Sequence, residues 1–165
     1  MIAVSNTTPL RYLIAIEQDH LLGRLFETVF VPTAVFEELT EARTPEKVRH
    51  RILAPPAWFE VRSIRETSAT TLPVALHKGE RESILLAEMI RADILLIDEQ
   101  AGRTIASSRN LPISGTLGVL ERADTQGLVS DFSQTLKRLK ASGFYITDVL
   151  KKQLLQRHLA RRRKK

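Results

Sequence analysis

The 165 residues are 43% hydrophobic and 27% charged and include no cysteine. That describes one soluble domain with its own core and excludes disulfide scaffolds, thiolate zinc or iron–sulfur sites and a cysteine nucleophile. The formal charge of +6 is unevenly placed, because eight basic residues and no acid lie between Lys151 and Lys165, so residues 1–150 carry 17 basic against 19 acidic groups, a net −2.

In chain order, Ile2-Ala3-Val4 is a short apolar run of strand type, and Thr7 or Thr8 with Pro9 opens an amphipathic helix carrying Leu10, Leu13, Ile14 and Ile16. A short helix from Leu21 to Phe26 leads to a second strand, Val29-Phe30-Val31. Pro32-Thr33 starts a third helix with Val35, Phe36 and Leu39 as its apolar face. Arg43 to Leu53 is a charged helical stretch that stops before Pro55-Pro56, and Trp58-Phe59-Glu60-Val61 has the aromatic and β-branched content of a strand. Small polar residues make Thr67 to Pro73 a loop. A helix from Glu80 to Arg91 follows, then Ile94-Leu95-Leu96-Ile97, a continuous apolar run typical of a parallel strand buried on both faces. Gln100 to Ser108 is helical, Leu111-Pro112-Ile113 is a short strand, and Gly115 to Gln126 is helical again. A helix from Phe132 to Lys140 ends at Ser142-Gly143, and the last helix starts at Thr147-Asp148 and runs into the basic end.

Strands and helices alternating over residues 1–150 give an α/β domain of three layers, α/β/α, around a mostly parallel central sheet. Residues 151–165 are then a basic helix end or tail, suited to nucleic acid or an acidic partner, or else a frayed, solvated terminus. The longest charge-free stretches, Thr67 to His77 and Asn110 to Leu120, fall short of the ~18–20 residues that span a bilayer. With no basic leader ahead of a cleavage site, the chain is expected in the cytoplasm, away from membranes.

Parallel sheets place their sites at the carboxyl ends of the strands, near the point where strand order reverses. There the sequence offers Asn6 and Thr7 after the first strand, Glu38 on the third helix, Glu80 and Glu82 opening the central helix, and Asp98 and Glu99 after the Ile94–Ile97 run. Singly, each has a structural explanation: Glu80 or Glu82 complements a helix dipole, Asp98 or Asn6 caps a helix, and Glu38 lies on a solvated face. Four such positions on one sheet edge suit phosphodiester hydrolysis assisted by a divalent cation, since magnesium and manganese prefer carboxylate and other oxygen ligands. A phosphate-binding glycine loop, a dinucleotide fingerprint and a nucleophile elbow are all missing from the sequence. The four histidines, His20, His50, His77 and His158, lack ligand spacing and read as surface or structural groups.

Six segments in order carry a resemblance: Val4-Ser5-Asn6-Thr7-Thr8-Pro9-Leu10, Val31 to Leu39, Gly79-Glu80-Arg81-Glu82-Ser83-Ile84, Ala92 to Glu99 with Gly102-Arg103, Gly115 to Leu120, and Gly143 to Asp148. From Met1 to about Leu155 the chain resembles the PIN-domain nucleases, especially the subgroup similar to VapC toxins of type II toxin–antitoxin pairs. The resemblance implies a Mg2+- or Mn2+-dependent endoribonuclease acting on RNA, paired with a small antitoxin protein and forming a homodimer. It carries the family's acids onto Glu38, onto Glu80 with Glu82 as a neighbour able to share its role, and onto Asp98 or Glu99. Its hydroxyl positions fall on Thr7 and Thr116. The first family aspartate is replaced by Asn6, which offers a carbonyl oxygen but no charge. That replacement favours the alternative, a non-catalytic RNA- or partner-binding module that keeps the fold.

Overall fold

The computed structural model describes residues 1–65 and 72–164, so residues 67–71 of the expected loop at Thr67 to Pro73 lie outside the described residues. Strand β1 (Ile2–Ser5) is the middle of a five-stranded sheet and is followed by helices α1 (Thr7–Ala15) and α2 (His20–Leu25). Strand β2 (Thr28–Pro32), helices α3 (Thr33–Thr40) and α4 (Glu46–Leu53) and strand β3 (Phe59–Arg62) complete one half. Helix α5 (Lys78–Met89) crosses back to β4 (Ile94–Leu96), followed by α6 (Gln100–Ser108), β5 (Ile113–Ser114) and α7 (Thr116–Thr125). Helices α8 (Phe132–Ala141) and α9 (Asp148–Arg162) end the described chain.

All four strand pairings are parallel and the order is β3-β2-β1-β4-β5. The chain steps outward from β1 to β3 and then returns to β1's other side, so strand order reverses between β1 and β4. A crevice opens there at the carboxyl ends of the strands.

Alternate residues of each strand feed opposite layers, as the two-residue period of a strand requires. Ala3, Val29, Val31 and Leu96 join a core with α1, α2, α7, α8 and α9, while Val4, Phe30, Leu95 and Ile97 join a second core with α5 and α6. Both faces are thus covered, which is why the strands read as apolar runs rather than as alternating patterns.

Most boundaries shift by a residue or two, helix α5 for example running from Lys78 to Met89 rather than from Glu80 to Arg91, and two of the shifts fall at prolines. Helix α4 begins at Glu46 rather than Arg43, with Pro45 as its N-cap, because the residue before a proline avoids the helical region. The fifth strand is Ile113–Ser114 rather than Leu111 to Ile113. Pro112 has no N–H to give the ladder and contributes only its carbonyl, which accepts from the Leu95 N–H at 2.8 Å.

The basic end is not a frayed terminus. Thr147 caps α9 by accepting from the Leu150 N–H at 3.1 Å, and the helix passes residue 150 uninterrupted with Leu154 buried in the core. Arg157 and Arg161 pair with Glu121 of α7, and Arg161 and His158 hold the buried Asp124 carboxylate at 2.6 and 2.8 Å. Among the described residues, no helix is long and apolar enough to cross a membrane.

Candidate active site

The end of β1 is tied to β4 one residue beyond the strand, the Asn6 N–H donating to the Leu96 carbonyl at 2.9 Å. That bond places Asn6 beside the segment that leaves β4. Asn6 occupies the N-cap position of α1 but its side chain makes no cap bond. Its amide nitrogen instead donates to a Glu99 carboxylate oxygen at 3.1 Å, and the Thr8 hydroxyl donates to the other oxygen. Both Glu99 oxygens are therefore held from the first turn of α1.

Glu38 comes in from α3. One of its oxygens accepts from the Thr7 hydroxyl at 2.5 Å, and the other faces the first turn of α5. A Cβ built on Gly79 would stand 2.7 Å from that Glu38 oxygen, so any larger residue there would displace the Glu38 carboxylate from its present position. Glu80, the next residue, is 5% exposed and accepts from the His77 N–H at 3.0 Å.

Asp98 is fixed from the other side. Its oxygens accept from the Thr116 N–H at 2.8 Å and the Thr116 hydroxyl at 2.6 Å, at the first turn of α7. Removal from water is the main cause that raises its pKa above the ordinary aspartate value. The two Thr116 bonds work against the rise, the Glu99 charge adds to it, and the Arg103 guanidinium opposes it. Arg103 itself donates to the Ile97 carbonyl at 2.8 Å.

Asn6, Thr7, Thr8, Glu38, Arg43, His77, Glu80 and Glu99 line one cavity of about 260 Å³. The structure thus gathers five of the expected positions, Asn6, Thr7, Glu38, Glu80 and Glu99, around one space. Asp98 and Thr116 form a bonded pair next to this cavity without lining it. Glu82 is placed elsewhere: its carboxylate accepts from the Ala34 N–H at 3.0 Å and braces the first turn of α3.

Sequence reasoning passed over Thr8, His77 and Arg43. His77 is exposed, as a surface histidine should be, yet its place just before Gly79-Glu80 puts it at the lip of the cavity. Nothing local marks Arg43; it arrives because the turn after α3 is folded back by the Thr44 hydroxyl, which donates to the Glu38 carbonyl at 2.6 Å.

The donor set is one that a hard cation would accept. Among the described residues the ion pairs engage other acids, Glu82, Glu88, Glu121 and Asp124 among them, and none engages Glu38, Glu80, Asp98 or Glu99. Each of these carboxylates is instead oriented by a hydroxyl, amide or backbone N–H. No three acids or histidines stand close enough to enclose an ion among the described residues. The arrangement therefore suits a cation held by one or two carboxylates, with water and substrate oxygens completing its shell, the usual habit of magnesium.

The family model DUF3368, described as PIN domain, matches residues 2–159. A PilT N-terminus domain protein from the hyperthermophilic archaeon Sulfolobus solfataricus P2 superposes with a TM-score of 0.54 at 15% sequence identity, over 74% of this chain and 93% of that chain. At that identity the likeness is one of fold. No curated protein matches the chain.

Proposed function

The chain belongs to the PIN-domain family, and from that premise we propose that it is a divalent-cation-dependent ribonuclease, the toxin of a toxin–antitoxin pair. The observation that carries the reading is the meeting of Glu38, Glu80 and Glu99, with Asp98 adjacent, at the switch point of the sheet without a basic partner within ion-pair distance. A purely structural set of buried and half-buried carboxylates would be expected to carry cations of its own.

In this reading one or two of Glu38, Glu80 and Glu99 would hold a magnesium or manganese ion, with water and substrate oxygens completing its shell, and Asp98 would contribute charge from beside it. When bound, such an ion offsets phosphate charge and makes water more acidic. The protein's part is orientation. Thr7 holds the Glu38 carboxylate, Asn6 and Thr8 hold both Glu99 oxygens, and Thr116 holds Asp98. Each carboxylate then waits in a fixed rotamer, so little ordering remains to be done when ion and substrate arrive. Glu82 is left out of this set because its oxygen already serves the Ala34 N–H.

RNA as substrate, a small antitoxin as partner, a homodimer and a cytoplasmic setting follow from the resemblance carried by the six sequence segments. The test is cleavage of a labelled RNA with manganese, magnesium or chelator. Glu38→Gln and Glu80→Gln should each lower the rate by roughly a hundredfold or more, the scale of losing one group that stabilises transition-state charge. Wild-type protein that leaves RNA intact with either metal, or both variants cleaving at the wild-type rate, would refute the enzyme.

A further inference from the structure

A second cavity, of about 380 Å³, adjoins the acidic one; the two share Thr7, Glu38 and Arg43, and the second adds Arg11 and Glu41 to its walls. Arg11 lies four residues beyond Thr7 on α1, on the same face of the helix. It is exposed, and the contact the structure gives its guanidinium is the neighbouring Tyr12 ring, 5.9 Å away. Arg43 sits in the turn after α3. That turn is pinned twice, by the Thr44 hydroxyl on the Glu38 carbonyl at 2.6 Å and by Arg49 on the Thr44 carbonyl at 3.1 Å. The Arg43 guanidinium meets Glu41 at 2.6 Å, with side-chain exposures of 83% and 41%. A pair so open to water is worth little and is readily exchanged.

We propose that this groove grips an RNA phosphate next to the one that enters the acidic cavity, with Arg11 and Arg43 as its two walls and Glu41 as the rest partner that Arg43 leaves. The proposal rests on the ribonuclease reading. A polyanion brought up to Glu38, Glu80 and Glu99 is repelled unless cations stand along its path. Arginine's planar fork fits two phosphate oxygens at once, where lysine offers only a point charge. The shared wall of Thr7 and Glu38 makes the two cavities neighbours along one strand. A phosphate contact here would set the register of the backbone over the acids without reading a base.

Anisotropy of a labelled single-stranded RNA dodecamer, measured in chelator across a salt series, tests the groove without turnover. Arg11→Gln and Arg43→Gln should each weaken binding by roughly three- to tenfold and each reduce the log–log salt slope by about 0.7, the share of one phosphate on a single strand. Glu41→Gln frees Arg43 and should tighten binding, an effect that general damage to the fold would not produce. Arg91→Gln, an exposed change between α5 and β4 at the far end of the sheet, should alter nothing. Wild-type affinity and slope in the double variant Arg11→Gln/Arg43→Gln, or weaker binding by Glu41→Gln, would overturn the groove and leave the ribonuclease standing. Wild-type protein that binds no RNA in chelator would overturn the groove, and wild-type protein that neither binds nor cleaves RNA with manganese would overturn both.

Discussion

Replacing Asn6 by aspartate perturbs one contact with almost no change of shape. The amide nitrogen that donates to Glu99 at 3.1 Å becomes a carboxylate oxygen facing another. A hydrogen bond to a charged acceptor, worth about 1.5–3 kcal/mol, is lost. Two unit charges about 4 Å apart repel by roughly 4 kcal/mol at an effective dielectric near 20. The pair escapes part of that by taking up one proton, which at pH 7 costs about 4 kcal/mol for a carboxyl of ordinary pKa and restores a shared hydrogen bond. The proton route is the cheaper, so in chelator at pH 7 the net loss is about 4 kcal/mol, a fall in Tm of roughly 8–16 °C for a domain of this size.

The pH dependence has a definite sign. The folded variant binds a proton more readily than its unfolded chain, so its deficit against wild type shrinks as pH falls and is about 1 kcal/mol near pH 5. Manganese should act the same way at pH 7, because a cation between the two carboxylates replaces the proton. A ligand present at about a hundred times its Kd adds about 2.7 kcal/mol. Asn6→Asp should consequently gain more Tm from millimolar manganese than wild type does, and cleave RNA faster. Paired melts at pH 5 and pH 7, with chelator and with manganese, check each step. A variant that melts with wild type in chelator at pH 7 refutes the Asn6–Glu99 contact, and equal manganese shifts in the two proteins refute a cation at that corner.

Gly115→Ala sets a methyl group 2.4 Å from an Asp98 oxygen, so the carboxylate must leave Thr116; about 1–3 kcal/mol of stability should go, read by a denaturant midpoint, and cleavage should fall with it. Thr116→Val removes a donor from a carboxyl whose pKa burial already raises, so Asp98 should protonate at higher pH still, and the variant's Tm deficit should be largest at pH 7 and shrink as pH falls. Glu82→Gln keeps an oxygen for the Ala34 N–H and should cleave like wild type, in contrast to Glu80→Gln under the same assay. His158→Ala with Arg161→Met leaves the end of α9 in place but takes both partners from the Asp124 carboxylate, and should cost about 3–5 kcal/mol in a urea melt, the usual penalty of leaving a buried charge unpaired.

The sheet was legible because strands covered on both faces carry apolar runs, and Ile2-Ala3-Val4, Val29-Phe30-Val31 and Ile94-Leu95-Leu96 fall where the ladder places them. Boundaries slipped at Pro45 and Pro112, where ring chemistry overrides the apolar pattern. In the site, sequence named the acids but left pairs unresolved. Glu80 and Glu82 are two apart on a helix and cannot share a face, so the spacing already held the separation that sends one to the cavity and the other to α3. Asp98 and Glu99 are different. They are consecutive residues on a segment leaving β4, and which one turns toward Asn6 depends on where Thr116 arrives from α7, a contact 18 residues away. No local pattern encodes that.

The same distinction governs the charge. Composition points to the C-terminal end as the nucleic-acid surface, but two of its eight cations, Arg157 and Arg161, are engaged with Glu121 and Asp124 and serve to hold α9 on α7. Drawing either arginine onto RNA would release an acid it now satisfies, and for Asp124 that acid is buried. Arginines beside the acidic cavity carry no such debt: Arg43 is held by a half-exposed glutamate, and among the described residues Arg11 meets only a ring. An RNA strand entering at the carboxyl edge of the sheet would therefore meet its available cations beside the carboxylates, in a region where net charge gives no hint of them. The location of usable positive charge is set by which arginines lack a buried obligation, and that is a property of the fold rather than of the composition.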